Sequence, residues 1–466
     1  MRSKAAKSSA MMNAAYREWE FGVMERYLRD REDVPIDFYL KDECDCRSCC
    51  RCHNQYYADN DFIIVYLEDF VEQEDNKGYR LLLDFFSFSD YTRFAEVVKG
   101  VPRDYDEKNE WKDKYLPRST FFIIENYRAT DKPERKKHYY LNLLKLRNTE
   151  LKRETEGYNG FPVLGSISLS DAQENNKNRD ATLLYLTMPL AYPQSVFSSL
   201  QYNVAYNGLA DVEINRLKVW NVGQGNYNEL MTDDSPYLIY DAGTDVFRKG
   251  GVAAHKGNLE GELNNGLPLI VVSHWHADHY SLLFALENKD LRRVQCYMLP
   301  SYVKNLGVFL FVARLNLIGA TVDMRKLPFT SKWESLGFKN FSLFSNKYVT
   351  SNVNDSGLTL FVKGTNGNAM LPGDCKYTIA EGETNEAVEK MGAKNRDLCL
   401  VIPHHGGKAG KCVTYNVPEA KAIEGIVSVG EKNGYGHPNG EVMKQIKTYV
   451  PKVRMTKDCG NIDVWL

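Results

Sequence analysis

Four short apolar runs in the second half of the chain each end in a loop that carries metal-binding side chains. No other feature constrains the fold as tightly. Leu269-Ile270-Val271-Val272-Ser273 enters His274-Trp275-His276-Ala277-Asp278-His279, and Ala369-Met370-Leu371 leads through Pro372-Gly373 to Asp374. Cys399-Leu400-Val401-Ile402-Pro403 enters His404-His405-Gly406-Gly407, and Gly425-Ile426-Val427-Ser428-Val429 precedes Asn433-Gly434-Tyr435-Gly436-His437-Pro438. In an α/β architecture the loops at one edge of a sheet are where distant ligands converge. Six of the nine histidines fall in these loops, so the clustering points to a metal site rather than to a polar surface.

A strand running into a loop can throw His274 and His276 to one side, with Asp278 and His279 reaching a second position beside them. Imidazole and carboxylate together suit zinc, manganese or iron, and two ligand groups from one short loop suggest two adjacent metals. An aspartate between the cations, such as Asp374, can bridge them and offset their repulsion.

His-x-His-x-Asp-His followed by Gly-Asp, His-His-Gly and a late His resembles the metallo-β-lactamase fold superfamily. More narrowly, the chain resembles the soluble hydrolase domain of the DNA-uptake channel protein ComEC and its free-standing relatives. The residues that carry this are Val219-Trp220-Asn221-Val222-Gly223-Gln224-Gly225-Asn226, Ile239-Tyr240-Asp241-Ala242-Gly243 and Asn354-Asp355-Ser356-Gly357-Leu358-Thr359-Leu360, with the three later metal loops and Met455-Thr456-Lys457-Asp458-Cys459-Gly460-Asn461-Ile462. The resemblance runs in order over residues 212–466.

It implies an α/β fold, an αββα sandwich over 211–466, while the apolar runs of residues 1–210 read as an α+β domain with its own core. It also implies two divalent metals, zinc or manganese. His274 and His276 are assigned to the first, Asp278, His279 and His437 to the second, and Asp374 to the bridge. Asp278, His404 and His405 are the expected catalytic residues, and which of the two adjacent histidines reaches the metals is left open. Two cations about 3.5–4 Å apart would acidify a water between them. Asp241 reads as a support behind the metal loop rather than a ligand. Lys376, Lys408 and Lys411 lie near motif loops and could grip a phosphate, or could be ordinary solvated lysines. Gly223-Gln224-Gly225 could allow close backbone approach or simply turn tightly.

Several positions depart from the family pattern. Asn221 and Asn226 stand where aspartates are usual, and His276 stands where ComEC-like members often carry aspartate. Tyr280-Ser281 replaces a glycine pair, Gly407 replaces a serine, and Lys408-Ala409-Gly410-Lys411 replaces a serine-rich run. No histidine lies between His279 and Asp374, which leaves one metal ligand-poor, more labile, or completed by His404 or His405.

The activity implied is a metal-dependent hydrolase, a two-metal phosphodiesterase or nuclease acting on DNA or RNA, in a bacterial antiviral defence system. The same metals on this fold also cleave other esters, thioesters and amides, so the fold does not settle the substrate. A different class of reading is a sensing or assembly protein whose first domain binds a protein partner and whose hydrolase is regulated or vestigial.

At 466 residues the chain can hold two or three domains, and 43% hydrophobic with 26% charged residues is ordinary for a globular protein. A net charge of −2 gives no global attraction to nucleic acid. No run reaches the length of a membrane span, and the start lacks a secretion signal, so a cytoplasmic protein without membrane contact is expected. The longest apolar stretch, Leu306 to Val322, is interrupted by Arg314 and reads as a buried helix.

The first part has a helical pattern over Asn13–Leu28 and strand-like runs at Phe62–Tyr66, Leu81–Leu83, Phe121–Ile124 and Thr182–Met188. Cys44, Cys46, Cys49, Cys50, Cys52 and His53 fall within ten residues and could close a structural zinc site, with plain reduced thiols the alternative. The other five cysteines are scattered, and Cys375 beside Asp374 reads as a small buried side chain.

Overall fold

The structure is a computed structural model that describes residues 62–73, 78–85, 90, 94, 121–127, 132–133, 138–142, 163–164, 169–171, 212–248, 250–300, 303, 305–325, 334–337, 339–345, 353–411, 413–431 and 433–466. The chain divides into two compact units: 1–152 with 162–199 and 304–310, and 153–161 with 200–303 and 311–466. Both contribute to a mixed α/β protein built on several sheets.

In the first unit, β1 (Phe62–Glu72), β2 (Tyr79–Phe85), β3 (Phe122–Tyr127), β4 (His138–Asn142), β5 (Val163–Leu164) and β6 (Leu169–Asp171) form one sheet, ordered β5-β3-β2-β1-β4-β6. Three of the expected strand runs fall in β1, β2 and at the start of β3. Ile63, Val65, Leu81, Leu82, Leu83, Phe122, Ile123 and Ile124 are buried, with Phe85 stacked on Phe122 at 5.0 Å. The expected helix at Asn13–Leu28, the run Thr182–Met188 and the cysteine cluster from Cys44 to His53 lie outside the described residues.

The second unit contains β7 (Arg216–Val219), β8 (Tyr227–Thr232), β9 (Ser235–Ala242), β10 (Leu269–Val271), β11 (Cys296–Pro300), β12 (Val322–Arg325), β13 (Glu334–Gly337), β14 (Phe341–Ser345), β15 (Leu358–Lys363), β16 (Gly367–Leu371), β17 (Asp397–Val401), β18 (Ile423–Val427), β19 (Lys452–Met455) and β20 (Ile462–Trp465). They form two seven-stranded sheets, ordered β12-β11-β10-β9-β8-β7-β20 and β13-β14-β15-β16-β17-β18-β19. Each joins an antiparallel meander to a parallel run, the switch falling at β9 in one and β16 in the other. Every metal-type loop of the sequence follows a parallel strand: β10, β16, β17 or β18.

Alternation along the central strands explains why two layers form. Leu358, Leu360, Val362, Ala369, Leu371, Cys399 and Val401 share one buried cluster with Leu238, Tyr240, Leu269, Val271 and Met298 of the other sheet. The intervening Phe361, Met370, Leu398 and Leu400 point the opposite way. Strands buried on both faces need mostly apolar residues on both, and these have them, with buried Thr359 and Asn368 as polar exceptions bonded to Glu383 and to Ala393 O.

Five helices matter to the site: α1 (Gly251–Asn265), α2 (Ala277–Ala285), α3 (Leu306–Leu317), α4 (Tyr377–Lys390) and α5 (Gly440–Ile446). Helices α1 and α2 pack on each other and on β9. Tyr377, Ala380 and Val388 of α4, with Val442 and Ile446 of α5, cover the outer face of the second sheet.

The apolar stretch read as one helix to Val322 is instead α3 followed by β12. Gly319, at φ +73°, turns the chain out of the helix, and Ala320 N donates back to Leu315 O at 2.9 Å. Arg314 is buried, but its guanidinium donates to Asn288 Oδ1 at 2.7 Å and Leu286 O at 2.9 Å. Among the described residues no helix is long and apolar enough to cross a membrane.

Candidate metal centre

The loop after β10 is fixed before its histidines begin. Ser273 N and Oγ donate to the two oxygens of Asp241 at 2.6 and 2.8 Å, and Ser273 O accepts from Leu358 N at 2.7 Å. A Cβ at Gly357 would lie 2.5 Å from Ser273 O, so glycine is required where the Asn354–Leu360 segment crosses the loop. His276 then takes an extended conformation as α2 begins, and Asp278 falls in the first helical turn, where the helix dipole favours a carboxylate.

Gly225 and Gly243 press the opening motif against this turn. A Cβ at Gly225 would lie 2.9 Å from Asp278 O, and one at Gly243 would overlap the same carbonyl. Asn226 N donates to Asp278 O at 3.0 Å. The two glycines of Gly223-Gln224-Gly225 therefore answer both sequence readings: Gly223 turns the chain at φ +78°, and Gly225 permits the close approach. Ser281 Oγ accepts from Thr244 N at 3.1 Å. Tyr280 fills the core against Trp275 and Phe284, which accounts for side chains where the family pattern has glycines.

Two groups of potential ligand atoms result: His274, His279 and Asp374, and Asp278, His279 and His405. His279 Nε2 lies 3.3 Å from Asp374 Oδ1 and 3.8 Å from Asp278 Oδ1. His405 Nε2 lies 3.3 Å from Asp278 Oδ2, and His274 Nε2 3.8 Å from Asp374 Oδ2. His276 and His437 belong to neither group. His276 Nδ1 is instead 3.0 Å from His274 Nε2, and the His437 ring lies 5.1 Å from that of His404. The partition thus differs from the expected pairing: His279 is common to both groups, and His405 stands where His437 was assigned.

Both adjacent histidines face the cluster. His404 and His405 sit in the left-handed region at φ +53° and +52°, costing on the order of 1–2 kcal/mol each. His405 is buried, with Nδ1 donating to Ser428 O at 2.8 Å, while His404 is 27% exposed with Nε2 3.8 Å from Asp374 Oδ2. A Cβ at Gly407 would fall on the His437 ring, so only glycine fits there with that ring in place.

Asp241, itself left-handed at φ +60°, accepts from His279 Nδ1 at 2.8 Å. Ser273 Oγ also lies 3.0 Å from His274 Nδ1. With their outer nitrogens engaged, His279 and His405 turn Nε2 inward. These two atoms and Asp374 Oδ1 are buried without hydrogen-bond partners, a cost of roughly 1–3 kcal/mol for each such group. Imidazoles and carboxylates converging in this way fit divalent cations, whose binding would displace the ring protons that the carboxylates otherwise hold.

Charge sharpens the picture. Burial alone would lower His279, but Asp374, Asp241 and Asp278 raise it well above the usual histidine range. Burial likewise opposes ionisation of Asp278 and Asp374, yet the surrounding histidines hold both below the ordinary carboxylate value. His437 is pulled down to about 4 by burial and by His404 and His405.

The lysines separate. Lys376 Nζ pairs with buried Asp355 Oδ2 at 2.6 Å, whereas Lys408 and Lys411 are exposed. Cys375 is buried, its thiol pushed up by burial. Ser273 and Ser428, which hold three of the histidines, were not among the expected site residues. Their signal was a hydroxyl closing or interrupting an apolar run just before a metal loop.

No protein-family model and no curated protein matches the chain. Among solved structures, it is similar to CmlA, a diiron β-hydroxylase from Streptomyces venezuelae, at 12% identity and TM-score 0.32, covering 55% of each chain. A CmlA β-hydroxylase variant gives 12% identity and TM-score 0.33, covering 60% of this chain and 63% of that one. The chain spans less than two thirds of either, and likeness of this degree assigns neither family nor activity.

Proposed function

We propose that residues 211–466 form a ComEC-like αββα metallo-β-lactamase sandwich and that the chain is a two-metal phosphodiesterase acting on DNA or RNA. The observation that carries this reading is the pair of buried His/Asp groups sharing His279, with inward ring nitrogens lacking hydrogen-bond partners. Two sheets with a common core, α1 and α2 against β9 and α4 and α5 outside the second sheet support the sandwich. A role in antiviral defence, with a protein partner for the first unit, belongs to the same reading.

His274 with Asp374, and Asp278 with His405, would hold two zinc or manganese ions, His279 Nε2 serving one of them, with His276, His404 and His437 nearby. Such ions, when bound, supply Lewis-acid polarisation of a phosphoryl oxygen and a water acidified toward neutrality. The chain's own residues do the remaining work. Asp241 and Ser428 orient His279 and His405, the left-handed backbone aims the adjacent imidazoles, and partly exposed His404 protonates the departing oxygen.

The test is hydrolysis of single-stranded DNA, duplex DNA, RNA and a β-lactam with zinc or manganese supplied, wild type beside Asp278→Ala. Nucleic-acid cleavage that vanishes in the variant is expected. Cleavage of the β-lactam alone overturns the reading.

A further inference from the structure

Asn221, Arg248, Gly250, Gly251, Ala254 and His255, from the β7–β8 connection and the start of α1, line a cleft of about 320 Å³. None of these lining side chains is acidic. Arg248 is exposed and His255 is half-buried with Nδ1 lacking a hydrogen-bond partner. Asn221 contributes a neutral amide. Buried Asp245 is the acidic group near Arg248: its carboxylate accepts from Phe247 N at 3.0 Å, and burial pushes it up to about 6 against the opposing pull of Phe247 N and of Arg248.

Two routes tie this cleft to the metal loops. The segment that begins at Asn221 ends at Gly225 and Asn226, which touch Asp278 O. Phe247, next to Arg248, packs on Tyr435 at 6.4 Å, and the Tyr435 ring lies nearly parallel to His437 at 6.2 Å. A chain molecule with one phosphate at the metal centre would therefore carry a group further along toward the cleft.

We propose that this cleft is a second phosphate subsite, in which Arg248, supported by Asn221 and His255, grips a phosphodiester further along the strand from the one being cut. The proposal rests on the phosphodiesterase reading for its substrate, but on the cleft alone for its binding. A guanidinium presents a planar fork that matches two phosphate oxygens, which an ammonium does not. The expected ligand is a single strand, because the backbone between the two phosphates must bend from a buried centre to the cleft.

The experiment measures binding of a fluorescein-labelled, phosphorothioate-linked single-stranded oligonucleotide to metal-loaded full chain across a salt series. Wild type is compared with Arg248→Gln and Arg248→Lys. Because Arg248 is exposed, all three should share one melting temperature, which is checked first. Arg248→Gln should weaken binding about tenfold and lower the slope of log affinity against log salt by about 0.7, the loss of one phosphate contact. Arg248→Lys should restore the slope but only part of the affinity. Unchanged affinity and slope in Arg248→Gln overturns the subsite, as does a wild type that binds no strand. A parallel cleavage assay separates the two claims. Arg248-dependent binding without cleavage keeps the subsite and removes the phosphodiesterase reading. Cleavage undiminished in Arg248→Gln does the reverse.

Discussion

His279 Nδ1 lies 2.8 Å from Asp241 Oδ2, with both side chains fully buried. This bond fixes which ring nitrogen carries the proton and turns Nε2 toward Asp278 and Asp374. Asp241→Asn keeps the left-handed backbone that asparagine tolerates, but exchanges a charged acceptor for an amide. Metal affinity should fall about 10–100-fold while the fold persists, measured by calorimetric metal titration with circular dichroism as the control. Unchanged affinity would remove Asp241 from the support of the site.

His405 and His404 should not be equivalent. The buried ring is anchored to Ser428 O and faces Asp278, while the other is partly exposed. His405→Ala is expected to lower the metal content of the purified protein, and His404→Ala to leave most of it while lowering turnover. Elemental analysis of both variants checks this, and equal metal loss would contradict it.

Gly407 leaves room for the His437 ring. Gly407→Ser introduces the family's usual side chain and must displace that ring. Since misplacement of about 1 Å can cost on the order of 100-fold in rate, kcat/KM on a phosphodiester should fall by about that factor with little change in melting temperature. Wild-type kcat/KM in the variant would mean that His437 has no part in the reaction.

Away from the metals, Glu229 on β8 is fully buried, its carboxylate 3.7 Å from Lys218 Nζ and without a hydrogen-bond partner. Burial raises it from 4.5 to about 7. A carboxyl raised in the folded state holds its proton longer than in the unfolded chain, so its contribution to stability falls as pH rises between those values and levels off above. At pH 8 the penalty approaches about 3 kcal/mol. Glu229→Gln should therefore be more stable than wild type at pH 8 and not at pH 4.5, read from urea unfolding. A difference independent of pH would contradict the assignment.

The loops that carry the two ligand groups were legible because strand-to-loop transitions hold their ligands within a few residues: His274, Asp278 and His279 follow one apolar run and Asp374 another. The choice between His404 and His405 was not, because the inward turn of His405 is set by its contact with Ser428 O, 23 residues away in sequence. The same holds for the shared position of His279, which depends on where β9 delivers Asp241. Strands β1–β3 were visible as apolar runs, whereas β5 and β6, at two and three residues, are too short to have a period. The end of α3 was missed because apolar composition continues through Gly319 into β12, and only the backbone turn divides them.

The account stands most directly on one measurement, the number of zinc ions bound per chain, by calorimetry and elemental analysis, in wild type and Asp374→Asn. Two ions in wild type and a loss of at least one in the variant are expected. A wild type that binds no zinc or manganese, or a variant that binds as many ions as wild type with equal affinity, would contradict the two-metal centre.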